Sequence, residues 1–82
     1  MDYVLTEHAR DAMEKRQIQR EWIERALRMT EVTEADLIDP HLEHRLVRIE
    51  ELENRVLRVI VNCRVTPLRV VTAFIDRRRT IP

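Results

Sequence analysis

The sequence predicts an α+β protein in which two N-terminal helices pack on a four-stranded, mainly antiparallel sheet. Two observations lead to this fold class. Apolar residues recur at helical spacing in the first third of the chain, and they alternate with polar residues after Thr30. Because both helices precede all of the predicted strands, the helices are expected to cover one sheet face as a separate layer. The length of 82 residues predicts one domain.

The first helix is predicted over residues 7–16. Thr6 is a suitable N-cap, and Glu7 lies in the first turn, where a negative charge is favoured. The inward stripe of this helix is apolar and consists of Leu5, Ala9, Ala12 and Met13. The chain has no glycine, so another residue must take each left-handed conformation, and Gln17 is the expected position at the end of this helix.

The second helix is predicted over residues 19–29, and Ile18 is expected to fill the junction between the helices. Its inward positions are Trp22, Ile23, Ala26 and Leu27. Its outward positions are Arg20, Glu21, Glu24, Arg25 and Arg28. This separation of apolar and charged residues predicts a helix that covers the sheet with one side and faces solvent with the other.

Four strands are predicted over residues 31–38, 44–51, 55–64 and 68–77. In the third strand, one face carries Leu57, Val59, Val61 and Cys63, and the other carries Val56, Arg58, Ile60 and Asn62. In the fourth, Arg69, Val71, Ala73 and Ile75 alternate with Leu68, Val70, Thr72 and Phe74. Short turns between the strands, one with Asn54 in the left-handed conformation, predict an antiparallel meander.

The charged residues leave two interpretations open. The net charge is zero, but residues 1–40 carry −4 and residues 41–82 carry +4, and every basic residue except Lys15 is arginine. Arginine suits phosphate, so Arg58 and Arg69 are candidates for a phosphate-binding sheet face away from the helices. Alternatively, the arginines form ion pairs with the many glutamates.

His8 and Arg16 are ionisable residues on or beside the apolar stripe of the first helix. A histidine can exchange a proton near neutral pH, and an arginine can hold a phosphate, so the pair suits acid–base chemistry on a phosphate ester. A structural explanation is also available, and the mechanics of the helix favour it. His8 can bond to nearby backbone, and Arg16 can pack its stem on the core while its head binds a carbonyl or a glutamate.

His41 and His44 lie near a predicted turn, beside Asp39 and Glu43. A structural zinc site needs four well-placed ligands, and the single cysteine of the chain lies far away in sequence. We therefore expect neither a metal ion nor another cofactor, and we interpret the two histidines as solvated loop residues.

The segments "LTEHARDAMEKRQIQREWIERAL", "LRVIVN" and "LRVVTAFIDRR" resemble, in order and spacing, the domain-of-unknown-function 4258 family. The resemblance implies a RelE/barnase-like fold and a likeness to BrnT-type and RelE/ParE-type toxins of bacterial toxin–antitoxin pairs. It implies His8 and Arg16 as motif positions and Thr72 as a nucleic-acid-binding position. The family usually has glycine where Gln17 stands.

The resemblance leads to two expectations about function. The first is a toxin-like, metal-independent ribonuclease, or a translation-interfering protein, that acts on RNA or the ribosome and is covered by an antitoxin. The second is a non-catalytic protein-interaction module of the same fold. Either protein could pair with a second copy as a homodimer, since edge strands expose unpaired backbone groups. The chain has no apolar run long enough to span a bilayer and no visible secretory signal, so we expect a cytoplasmic protein without membrane contact.

Overall fold

Two helices lie against one face of a five-stranded mixed sheet in the computed structural model, which describes residues 2–82. The helices are α1 (Glu7–Arg16) and α2 (Arg20–Arg28). The strands are β1 (Tyr3–Leu5), β2 (Val32–Ala35), β3 (Leu42–Ile49), β4 (Arg55–Asn62) and β5 (Leu68–Asp76), in the spatial order β1-β5-β4-β3-β2. The α+β class and the helix pair agree with the sequence prediction.

The prediction of four strands is wrong, because Tyr3–Leu5 forms a fifth strand, β1, that pairs in parallel with β5. The remaining pairs, β2–β3, β3–β4 and β4–β5, are antiparallel, so the meander is present and the sheet as a whole is mixed. Three residues are too few to give a readable alternation. Leu5, predicted to lie on the stripe of α1, belongs to β1 and is buried in the core.

The core lies between the helices and the near face of the sheet. Its fully buried members include Ala9, Ile23, Ala26, Leu57, Val59, Val61, Val70 and Ala73. Burying a side chain such as that of Ile23 contributes roughly 1.5–3 kcal/mol. Because apolar side chains fill this face, a polar functional site can lie only on the opposite face of the sheet, at the strand edges or on the outer surface of the helices.

The chain turns between α1 and α2 without a glycine. Gln17 takes the left-handed conformation at φ 56° and donates its N–H to Glu14 O, while Ile18 donates to Met13 O at 2.9 Å. This pair of bonds is a Schellman motif, which normally has glycine at the left-handed position. Ile18 is buried, so one apolar residue closes the helix end.

Several strands end earlier than the alternation suggested. After β2, Asp36 accepts the N–H groups of Ile38 and Asp39 at 3.1 and 2.9 Å, which bends the chain out of the sheet. After β3, a 3-10 turn over Glu50–Leu52 leads to a hairpin in which Asn54 has a φ of 64°. Cys63, expected on the inward row of β4, lies beyond the strand and is exposed.

Candidate functional site

The first helix presents His8 and Arg16 at its two ends. Thr6 caps the helix by accepting the N–H of Ala9 at 3.0 Å, which holds the first turn and leaves His8 exposed one residue into the helix. At the other end, Arg16 donates from Nη1 to Ala73 O in β5 at 2.9 Å. The contact of Arg16 matches the structural explanation given for it, a head group bound to a carbonyl.

A polar cluster occupies the sheet face opposite the helices, and Arg58 is at its centre. Arg58 donates to Asp76 Oδ2 from Nε at 3.0 Å and from Nη2 at 2.8 Å, and to Glu34 Oε1 from Nη1 at 3.1 Å. Its side chain is only 13% exposed. The fork of this predicted phosphate-binding residue is thus occupied by two carboxylates of the protein itself.

Arg79 connects the chain beyond β5 to β2 on the far side of the sheet. Its Nη1 donates to Glu34 Oε2 at 2.6 Å, so Glu34 is held between Arg79 and Arg58. Leu46 and Val56, on this same face, are fully buried although they lie outside the main core. Long arginine stems can cover apolar surface in this way while their charged heads pair above it.

His44 extends the polar cluster toward β2. Arg58 Nη1 contacts His44 Nδ1 at 2.9 Å, and His44 Nε2 contacts Asp36 Oδ1 at 2.7 Å. A guanidinium has no acceptor, so His44 Nδ1 must accept and the Nε2–H must donate to Asp36. The prediction that His44 is a solvated loop residue is wrong, because it lies within β3 and is mostly buried.

The carboxylates of the cluster are held in the charged form. Hydrogen bonds from the guanidinium of Arg79 and then that of Arg58 lower the pKa of Glu34, and Arg58 chiefly lowers that of Asp76. The backbone N–H of Asp39, followed by the side chain of His44, lowers the pKa of Asp36 to about 2. At neutral pH these groups are ionised, which favours the paired arrangement.

Arg69 and Thr72 share the far face of the sheet with Arg58, although strict alternation places them on opposite faces. Val61 pairs with Val70 and Ile60 pairs with Thr72, so Val71 is an extra residue in β5. This bulge reverses the alternation, since one unpaired residue changes which face each later side chain takes. Arg69 is exposed and Thr72 is half-buried.

Two clefts stand out within residues 2–82, and neither is lined by any of the five predicted site residues. One cleft, of about 830 Å³, lies between α2 and the β3–β4 turn and is lined by Arg25, Met29, Glu31, Val47, Arg48, Glu50, Glu51 and Asn54. A second cleft, of about 750 Å³, is lined by Asp2, Tyr3, Arg20, Glu24, Thr66, Pro67 and Leu68. The first contains two arginines that are already paired, Arg25 with Glu51 and Arg48 with Glu31.

The edge formed by β2 carries the most prominent exposed apolar residues. Within residues 2–82, β2 pairs only with β3, so one side of this strand is open. Leu37 and Ile38, which follow β2, are 101% and 93% exposed, and Met29, which precedes it, is 63% exposed. The sequence does not reveal this feature, because the alternation places Leu37 and Ile38 in the predicted strand over residues 31–38.

Metal-ligating residues do not gather anywhere in the described part of the chain: residues 2–82 contain no group of three or more His, Cys, Asp or Glu side chains arranged for an ion. Neither α1 nor α2 is long and apolar enough to cross a bilayer, and this holds for every helix within residues 2–82.

The fold and the site define a small α+β protein with an internally ion-paired sheet face and an open strand edge. The family described as "Domain of unknown function (DUF4258)" matches residues 5–75, and the chain belongs to that family. This confirms the family inferred from the sequence motifs. A search of curated proteins and a search of solved structures gave no significant match. Neither the likeness to BrnT-type and RelE/ParE-type toxins nor a ribonuclease activity is supported by these comparisons.

Proposed function

We propose that this protein is a non-catalytic protein-interaction module that binds its partner through the open edge of β2. The observation that carries the proposal is the exposure of Met29, Leu37 and Ile38 beside that edge. A partner segment in extended conformation can hydrogen-bond to the free backbone groups of a strand edge. Exposed apolar side chains next to the edge provide area that binding removes from water.

Two of the predicted site arginines already have partners within the protein, which supports an interaction module over a phosphate-binding enzyme. Arg58 is paired with Asp76 and Glu34, and Arg16 is bonded to a backbone carbonyl. A phosphate group at Arg58 would have to displace two carboxylates, leaving uncompensated negative charges close to the newly bound anion.

A toxin-like ribonuclease, with an antitoxin as its partner, is the second candidate. The exposure of His8 favours it, because a general base must reach its substrate. We place it second because His8 and Arg16 are eight residues apart on α1, which is about 12 Å along the helix axis. That separation is large for two groups that must both act at one phosphate.

The proposal is tested by site-specific photo-crosslinking in cells that produce the full chain. A photoreactive amino acid replaces Leu37 in one variant and Arg10, an exposed position on α1, in the matched control. We expect the Leu37 variant to form a covalent adduct of one defined mass and the Arg10 variant to form none. Adding Ile38→Asp to the Leu37 variant should abolish the adduct, since it places a charge in the apolar contact.

Identical adduct patterns at both positions, or none at either, would contradict the interaction module. A parallel assay follows RNA cleavage by purified wild-type, His8→Ala and Arg16→Ala proteins. Cleavage by the wild type that both substitutions abolish, with folding intact by circular dichroism, would establish the ribonuclease instead.

A further inference from the structure

We infer that the partner that fits the β2 edge is a second copy of this chain, paired antiparallel about Thr33. This inference rests on the proposed function and names the occupant of the same edge. Two copies related by a two-fold axis through Thr33 would join their sheets into one continuous sheet, with the same strand contributed by each copy.

The free backbone groups of β2 have the geometry that this pairing needs. Asp36 donates its N–H to Leu42 O in β3 at 3.3 Å. Hydrogen bonding alternates along an antiparallel pair, so the residues two and four positions earlier also bond to β3. The N–H and C=O groups of Thr33 and Ala35 therefore point out of the sheet, and Thr33 can exchange two hydrogen bonds with Thr33 of the second copy.

Exposed apolar residues flank β2 at both of its ends. Met29 lies four positions before Thr33, and Leu37 lies four positions after it. Because the two copies run antiparallel, the start of β2 in one copy lies beside the end of β2 in the other, so Met29 of each copy is brought to the same end of the paired edge as Leu37 of the other. The exposed apolar side chains at both ends of the edge thereby acquire apolar partners, and Ile38 adds to the same contact.

The charges near the edge permit this arrangement. Glu34 is already paired with Arg58 and Arg79, and Glu31 is paired with Arg48. The negative charge of each of these two glutamates at the edge is therefore balanced by an arginine. In the pairing centred on Thr33, Glu34 lies opposite Val32 of the second copy. A shift by one residue in each copy would instead place Glu34 opposite Glu34, and like charges directly opposite are destabilising.

The test uses the purified full chain with Cys63→Ser, which removes the one exposed native thiol. Thr33→Cys is introduced in one protein and Ala35→Cys in the matched control. Directly opposite residues in an antiparallel pair approach closely enough for a disulfide. We expect Thr33→Cys to form a covalent dimer under mild oxidation. The control should not, because position 35 of one copy lies far along the strand from position 35 of the other.

Sedimentation of the wild type should give twice the 9.9 kDa mass of the chain, and Leu37→Asp should return the monomer mass. A wild type that stays monomeric, or equal cross-linking at positions 33 and 35, would overturn the self-pairing. The cellular adduct at Leu37 separates this failure from that of the proposed function. An adduct with a different protein retains the interaction module and removes the homodimer, whereas the absence of any adduct removes both.

Discussion

Arg58 and Asp76 join β4 to β5 by two hydrogen bonds, from Nε at 3.0 Å and from Nη2 at 2.8 Å, both to the same carboxylate oxygen. The pair lies on the sheet face opposite the helices, and both side chains are less than one-fifth exposed. Charge-assisted bonds with little solvent around them are stronger than those of an open surface pair. This contact links the central strand β4 to its neighbour β5 on the sheet face that has no helix layer.

Arg58→Met should lower the free energy of unfolding by about 1–2 kcal/mol, because it leaves Asp76 and Glu34 without their shared counter-charge. Urea denaturation followed by circular dichroism measures this loss. Arg69→Met is the matched control, since Arg69 is exposed on the same face, and a surface change of this kind should stay within about 0.5 kcal/mol. Equal losses for the two variants would show that Arg58 has no special structural role.

The ion pair between Glu51 and Arg25 leads us to predict that the protein loses stability in acid. The guanidinium of Arg25 donates to both carboxylate oxygens of Glu51, each at 2.8 Å, and lowers the pKa of Glu51 from 4.5 to about 2. A pKa that is lower in the folded than in the unfolded state stabilises the fold above the unfolded value, and this stabilisation disappears as the pH falls toward the folded value. The free energy of unfolding should therefore decline between pH 4.5 and about 2.

Glu51→Gln should make that decline shallower in a series of urea titrations. Glu53→Gln is the control, because Glu53 is exposed and forms no ion pair within residues 2–82. An unchanged pH dependence in Glu51→Gln would mean that the Arg25 contact does not persist in solution.

Thr6 links α1 to β5 as well as capping the helix. Its Oγ1 accepts from Ala9 N at 3.0 Å and donates to Val71 O at 3.1 Å. Thr6→Ala should cost about 1–2 kcal/mol, since it removes a cap and leaves a carbonyl of β5 without this donor. Thr6→Ser keeps the hydroxyl and should stay close to the wild type in thermal unfolding. A similar loss of stability in both variants would show that the methyl group of Thr6, and not its hydroxyl, provides the stabilisation.

Gln17→Gly should stabilise the protein. Gln17 has a φ of 56°, and a left-handed conformation costs an ordinary residue about 1 kcal/mol that glycine does not incur. Lys15→Gly, inside α1, should destabilise by a similar amount because glycine weakens a helix interior. Opposite signs for the two variants in the same denaturation experiment check the prediction, and equal signs would contradict it.

Local signals made most of the fold predictable from the sequence. Thr6, as a capping residue, marks the start of α1, and the apolar positions of α2 have an unambiguous helical period. The absence of glycine and the turn preference of asparagine predict left-handed conformations at Gln17 and Asn54, and their φ values of 56° and 64° confirm this. These features depend only on neighbouring residues, which is why they can be inferred without a structure.

The features that the sequence did not reveal depend on pairing over long distances. The parallel contact of β1 with β5 joins residues more than 60 positions apart, and a three-residue strand has no period to detect. The bulge at Val71 can be seen only from the register with β4. The pairing of Arg58 with Asp76 and Glu34 follows from the same register, so the sequence could identify the arginine but not its partners.

The two sides of the sheet differ in how far they allow growth by strand addition. At the β1 side, only the three residues of β1 lie at the edge, and beyond them α1 follows, with Thr6 and Arg16 binding the carbonyls of Val71 and Ala73 in β5. At the β2 side, no such helix intervenes within residues 2–82. Since a very short edge strand offers few backbone groups for pairing, a neighbour that adds at β2 is not readily followed by another at β1, which limits growth of the sheet into a fibril.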